Sequence, residues 1–161
     1  LYLFLGGPVL AYFFKAVSTL DSMVGYKDEK YKDIGWASAR FDDVLNYIPA
    51  RIAGVLMALS AYIARRNGKN AFRILRRDHA KHASPNCAWT EAAAAGALDL
   101  QLGGTHEYFG RVIEKPTIGD EIKKPEISDI GRMNRLMYAT VVFAFVLLGI
   151  LAGLIYYLLV L

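Results

Sequence analysis

Two stretches of this chain concentrate side chains that can do chemistry. The first, Ser38-Ala39-Arg40-Phe41-Asp42-Asp43-Val44-Leu45-Asn46-Tyr47, reads as a helix capped by Ser38. Asp42 and Asn46 are four apart and Asp43 and Asn46 three apart, so two carboxylates and an amide oxygen can share one face. Such hard oxygens suit Mg²⁺, which takes one or two carboxylates and completes its shell with water and substrate phosphates. Arg40 and Arg51 flank the group and could clamp a phosphate or carboxylate bidentately. The plainer reading is a solvated first turn whose acids are favoured by the helix dipole.

The second stretch is Arg77-Asp78-His79-Ala80-Lys81-His82-Ala83-Ser84-Pro85-Asn86. Asp78 and His82 are four apart, so on a helix the carboxylate could orient the imidazole as a general base near neutral pH. Ser84-Pro85-Asn86 is a turn signal that would end the helix, aiming Asn86 at a developing oxyanion and Lys81 toward phosphate. The alternative is that His82 caps the helix C-terminus, where a cation is favoured. His79, His82 and Cys87 raise zinc, but their spacing fits no closed ligand set. A further ligand would have to come from as far as His106. Neither zinc nor haem is expected. Glu91 opens the run Ala92-Ala93-Ala94-Ala95-Gly96-Ala97, a helix thin enough for close packing, where Glu91 also reads as an ordinary N-terminal helix acid. Gly103-Gly104 and Lys115-Pro116-Thr117-Ile118-Gly119-Asp120 read as loops, and neither has the order of a Walker-type phosphate loop.

The elements that must position these residues follow from a sharp segregation of charge. Of 161 residues 55% are apolar and 21% charged, yet residues 136–161 and 52–64 carry no charge and residues 1–20 only Lys15. A soluble domain repeats charges along the outer face of every helix. The 26 uncharged residues Leu136–Leu161 exceed the roughly 20 that span the hydrocarbon core. The chain therefore reads as an all-α integral membrane protein, a helical bundle with long polar helical and loop sections at the cytoplasmic face. Repeats are absent and period-2 alternation is slight. Five pieces are expected: 1–20, the end of a transmembrane helix; 21–43, a polar loop; 44–64, a membrane-associated or re-entrant helix; 65–135, a cytoplasmic polar section; and 136–161, the C-terminal transmembrane helix. Pro49 and Arg51 are costly in a lipid-exposed helix, which favours a re-entrant 44–64 with both polar sections on one face.

Charge placement orients these pieces. Seven cations from Arg65 to Lys81, against Asp78 alone, leave +6 there, while the whole chain carries +4. With Lys123, Lys124, Arg132 and Arg135 before the last helix, they place 65–135 in the cytoplasm. Basicity gathered beside an apolar segment points to membrane lipid or anionic ligands, not to nucleic acid. A single cysteine, Cys87, excludes an internal disulfide framework. The start at Leu1, without Met, basic n-region or cleavage site, reads as the inside of a longer chain and not as a signal peptide.

Several ordered blocks carry a family resemblance. They are Leu20-Asp21-Ser22-Met23-Val24-Gly25-Tyr26; Gly35-Trp36-Ala37-Ser38-Ala39-Arg40-Phe41-Asp42-Asp43 running on to Arg51; Arg77-Asp78; Lys81-His82; Ser84-Pro85-Asn86; Glu91; Leu102-Gly103-Gly104; and Lys115 to Asp120. Together they resemble the adenosylcobinamide-phosphate synthase family of cobalamin-biosynthesis membrane proteins, over most of residues 16–140. The resemblance implies an additional N-terminal apolar half, a multi-pass place in the cell membrane and an amide-forming ligase. Adenosylcobyric acid, a corrinoid, would be joined to aminopropanol or its phosphate, with ATP and Mg²⁺. On that reaction His82, Asn86, Asp78 and Lys81 become catalytic candidates. Arg40, Arg51, Glu91 and Lys115 become substrate- or phosphate-binding candidates, and Asp42, Asp43 and Asn46 candidates for the metal. A homo-oligomer is compatible with all of this. Two other classes stand beside it: a non-catalytic scaffold or transporter subunit handling corrinoids, and a Mg²⁺-dependent membrane transferase acting on a diphosphate. The second acidic motif expected of such a transferase does not occur.

Overall fold

A computed structural model describes residues 1–25, 32–108 and 110–160. The order is α1 (Tyr2–Val24), α2 (Lys32–Ile63), α3 (Gly68–Asp78), α4 (Cys87–Leu98), β1 (Gln101–Tyr108), β2 (Arg111–Gly119) and α5 (Ile127–Val160). Among the described residues the protein is all-α apart from one two-stranded sheet. Three helices among the described residues, Tyr2–Val24, Gly35–Ile63 and Ile127–Val160, are long and apolar enough to cross a membrane. The chain forms two compact units, one of Leu1–Pro49 with Phe145–Leu161 and one of Ala50–Ala144.

In the first unit apolar side chains face outward. Val9, Tyr12 and Leu159 are each more than three-quarters exposed, as lipid-facing residues must be. Aromatic pairs tie the unit together, Phe4 with Phe145 at 5.6 Å and Phe13 with Phe41 at 6.0 Å between centroids. α1 breaks at Gly6-Gly7, where the backbone leaves helical values just before Pro8.

α2 corrects two expectations. The 21–43 segment is not a polar loop throughout, since it is helical from Lys32 on. Nor does 44–64 turn back on itself: α2 runs 32 residues without reversal, about 48 Å. Pro49 sits inside it unbroken. Proline has no N–H for the carbonyl four residues back, which here belongs to Leu45. That carbonyl instead accepts the Tyr2 hydroxyl at 2.7 Å, so an apolar setting leaves it satisfied.

The second unit is built on small residues. α3 is capped by Asn67, whose side chain accepts the Asn70 N–H at 3.1 Å, and it buries Ala71, Ile74, Leu75 and Asp78 at helical spacing. In α4 the residues Ala88 and Ala92 to Leu98 are buried. At Gly96 a Cβ would stand 2.6 Å from the Asn70 carbonyl, so glycine there allows the close approach of α3. Met57, Ala58, Ala61, Ala71, Leu75, Ala93 and Leu136 share one core; Ile74, Ala88, Ala92, Ala95 and Ile118 form another. The hairpin replaces the two expected loops. β1 and β2 are antiparallel, pairing Leu102 with Ile118 and Gly104 with Lys115, with a register shift between Leu102 and Gly104. Gly103 holds φ +79°, and a Cβ on it would strike the Pro116 carbonyl. Pro116 thus lies at the irregularity, where its missing N–H costs no regular ladder bond.

Candidate active site

The second unit contains a cavity of about 430 Å³ whose walls include Lys81, His82, Glu91, Leu102, Glu114 and Lys115. Lys81 and His82 come from the turn after α3, Glu91 from the first half of α4, and Glu114 and Lys115 from β2. The bulge places Gly103 and Pro116 in the same wall. Four of the candidate residues therefore converge here: Lys81 and His82, singled out by type and spacing, and Glu91 and Lys115, which the resemblance added. The volume lies in the usual range for small-molecule sites.

His82 is set up differently from the general base its sequence context suggests. Its Nδ1 accepts the Ser84 backbone N–H at 3.0 Å. A neutral imidazole that accepts at Nδ1 carries its proton on Nε2. Nε2 is then a hydrogen-bond donor, suited to a phosphate oxygen or a developing oxyanion.

Asp78 is also corrected. α3 ends at Asp78 with His79 as its C-cap, so no helix turn brings Asp78 to His82. The Asp78 side chain is wholly buried and fully engaged. Arg77 grips it with Nε and Nη2, both at 2.7 Å; Lys81 Nζ lies at 2.8 Å and the Gly119 N–H donates at 2.8 Å. The Arg77 hydrogen bonds come first in holding its carboxyl well below the usual carboxylate range; Lys81 and Gly119 add to them against the opposing effect of burial. Arg77 also donates to Asp120 at 2.7 Å and to the Gly119 carbonyl at 3.2 Å, and Arg73 pairs with Asp120. The Arg77 pKa is pushed up by these bonds, and that of Asp120 is pulled down by Arg77 and then Arg73. Asp78 thus fastens the end of β2 to α3. Through it Lys81, which also reaches the Thr117 carbonyl at 3.4 Å, is fixed at the edge of the cavity.

Asn86 and Arg51 do not line this cavity among the described residues. Asn86 occupies the N-cap position of α4, its N–H donating to Ser84 Oγ at 3.3 Å. Its Oδ1 accepts from Arg51 Nη1 at 3.5 Å, and the Arg51 guanidinium lies 4.9 Å from the Trp89 ring centroid. His79 meets the same ring at 4.4 Å. Among the described residues no three His, Cys, Asp or Glu side chains gather around one metal position.

The remaining candidates lie in the first unit. Arg40 stands 5.9 Å over Trp36. Asn46 turns its amide N–H back to the Asp42 carbonyl at 3.1 Å, leaving its Oδ1 as the oxygen it can offer. Asp42 Oδ1 is buried with no hydrogen-bond partner among the described residues, and Asp21 of α1 and Asp43 both bear on Asp42 electrostatically. The Asn46 side chain also bears on this carboxylate as a hydrogen-bond partner, so the cluster carries both acceptors and one donor. Carboxylate and amide oxygens are the donor types that Mg²⁺ takes.

The CobD/Cbib protein family model matches residues 1–137, which include every candidate residue. The chain belongs to this family. Among curated relatives of the CobD/Cbib family, the Cobalamin biosynthesis protein CobD of Clostridium perfringens is 56% identical over 133 residues, covering 83% of this chain and 42% of that protein. The Cobalamin biosynthesis protein CobD of Listeria monocytogenes is 51% identical over 146 residues, 91% of this chain and 46% of its own. The Cobalamin biosynthesis protein CbiB of Salmonella typhimurium is 53% identical over 147 residues, again 91% and 46%. The chain thus spans less than half the length of these relatives. No solved structure matches it.

Within this CobD/Cbib chain, sequence reasoning missed Asp21 beside Asp42, Glu114 in the cavity wall, and Arg77 and Asp120 as the partners of the buried staple. Glu114 was signalled by standing next to Lys115. Asp120 and Gly119 carried no local signal, since they meet Arg77 and Asp78 across more than 40 residues of chain.

Proposed function

We propose that the full-length protein acts in cobalamin biosynthesis as a ligase, joining adenosylcobyric acid to aminopropanol or its phosphate at the expense of ATP. The observation that carries the reading is the convergence of Lys81, His82, Glu91 and Lys115 on one cavity. Amide formation needs a carboxylate made electrophilic. A carboxylate oxygen attacks the terminal phosphorus of ATP, ADP leaves, and an acyl phosphate results. The amine nitrogen then adds to the acyl carbon, the adduct loses inorganic phosphate, and the amine's proton passes to a base.

The cavity supplies groups for both halves. Lys115 and the Nε2–H of His82 are donors for phosphate oxygens and for the oxyanion of the adduct. Glu91 is an acceptor for the substrate ammonium and then for its proton. Lys81, fixed by Asp78, adds positive charge at the rim. About 430 Å³ accommodates an amino alcohol phosphate and the carboxyl side chain it attacks, while the macrocycle stays outside. Asp42, Asp43 and Asn46 of the first unit are the residues we assign to Mg²⁺, which when bound would neutralise charge on a phosphate. The active face is cytoplasmic, by the concentration of cations between Arg65 and Arg135.

The test is turnover of the full-length protein in membranes with adenosylcobyric acid, the amine and ATP. Glu91→Gln and Lys115→Met should each lose about 100-fold or more in rate while melting as the wild type does. Near-normal turnover in both would overturn the assignment of the cavity.

A further inference from the structure

A second opening in the unit Ala50–Ala144 has a different character. It measures about 290 Å³, and its walls include Arg65, Arg66, Asn67, Asp99, Lys123 and Arg132. None of its lining residues is shared with the His82 cavity. Four cations thus face one space with a single acid among them. That acid is already committed, since Asp99 Oδ1 accepts from Asn67 at 2.9 Å and from Asn70 at 2.8 Å. Lys123 pairs with Asp129, and Arg132 pairs with Asp129 at 2.7 Å and Glu126 at 3.4 Å, so these two are held in place by acids behind them. Arg65 and Arg66 have no acidic partner among the described residues.

The turn that presents the two arginines is built at a cost. Arg65 adopts φ +53°, the left-handed conformation that a Cβ disfavours and glycine takes freely. Arg66 keeps its Nε buried with no hydrogen-bond partner among the described residues, an unmet donor on a charged group. The backbone is nevertheless tightly fixed. The Arg65 N–H donates to Tyr62 at 3.1 Å, the Arg66 N–H to Ala61 at 2.7 Å, and the Asn67 N–H to Ala97 of α4 at 3.2 Å. The left-handed Arg65 belongs to the turn that ends α2, but a buried guanidinium nitrogen without a partner and two arginines without an acid, at one opening lined by two further cations, are together explained by an anion. Its depth is also defined: Arg65 directly follows the uncharged run 52–64 of α2, and Arg132 stands just before the uncharged run that begins at Leu136 in α5.

We propose that this pocket binds a phosphate group at the membrane edge, separately from the His82 cavity. A phospholipid headgroup and the phosphate of a soluble ligand share that chemistry. The proposal does not rest on the ligase reading.

The experiment is thermal melting of the full-length protein in phosphatidylcholine nanodiscs at constant ionic strength, with inorganic phosphate as one probe and admixed phosphatidylglycerol as the other. Arg65→Gly should melt above the wild type without either probe, because it relieves the left-handed strain. It should also need about tenfold or more of the effective probe for the same stabilisation. Arg66→Gln should show the same weakening without the gain in melting temperature, and Lys115→Met should retain the wild-type response to phosphatidylglycerol. Weakening seen with inorganic phosphate identifies a soluble phosphate group as the source, and weakening seen with phosphatidylglycerol alone identifies the headgroup. If wild type, Arg65→Gly and Arg66→Gln respond alike to both probes, the proposal is wrong.

Discussion

At the scale of residues, the decisive atoms are the two nitrogens of His82. Because Nδ1 accepts the Ser84 N–H, Nε2 is a donor. A glutamine side chain can also donate there, whereas alanine cannot. His82→Ala should lose about 100-fold or more in turnover and His82→Gln no more than about tenfold. Equal losses, with activity recovering at high pH in both, would restore the general-base role. Asp78 makes a contrasting prediction about stability. Asp78→Asn removes the charge of a buried carboxylate whose partners Arg77 and Lys81 are each 41% exposed, and should destabilise the fold by about 1–3 kcal/mol at pH 7, read from a denaturant melt in detergent. The folded-state pKa of Asp78 is depressed, so its contribution is complete above the unfolded value near 3.9 and is lost as pH falls below it. The gap between wild type and Asp78→Asn should therefore stay constant from pH 8 to pH 5 and close below about pH 4. A gap that closes between pH 8 and pH 6 would contradict the assignment.

At the scale of elements, α2 shows how a helix breaker is tolerated. Tyr2→Phe leaves the Leu45 carbonyl without its hydroxyl donor opposite Pro49, and should lower stability by about 1 kcal/mol, measured by melting in a bilayer. An unchanged melting temperature would mean that the carbonyl finds another donor. The same contact explains what could be read from the amino acids and what could not. The uncharged run from Leu136 and the alanine run of α4 announce their helices, because composition alone decides whether a segment suits lipid or close packing. The continuity of α2 was hidden, since the group that makes Pro49 acceptable lies 43 residues away. The hairpin was hidden too: Gly103-Gly104 and Pro116 look like loop punctuation and in fact mark a bulge. Type and spacing were enough to collect Lys81 and His82, and the family resemblance added Glu91 and Lys115. Spacing misjudged the link from Asp78 to His82, because α3 stops at Asp78 and the acid's partners include an N–H from β2.

At the scale of the whole molecule, a continuous α2 changes the expected path through the membrane. A helix whose stretch Gly35–Ile63 is apolar enough to cross has no reversal with which to return to its starting face. Ser22→Cys and Lys69→Cys should then react with an impermeant thiol reagent from opposite sides of oriented vesicles, Lys69→Cys from the cytoplasmic side. Labelling of both from one side would place α2 along or within one leaflet. The central claim is chemical, and an isotope tests it most directly. Adenosylcobyric acid labelled with ¹⁸O in its free carboxyl is turned over by the full-length protein with the amine and ATP. The account predicts one ¹⁸O in the released inorganic phosphate, matched by one ADP and one new amide; unlabelled phosphate, or amide formed without ATP, would contradict it.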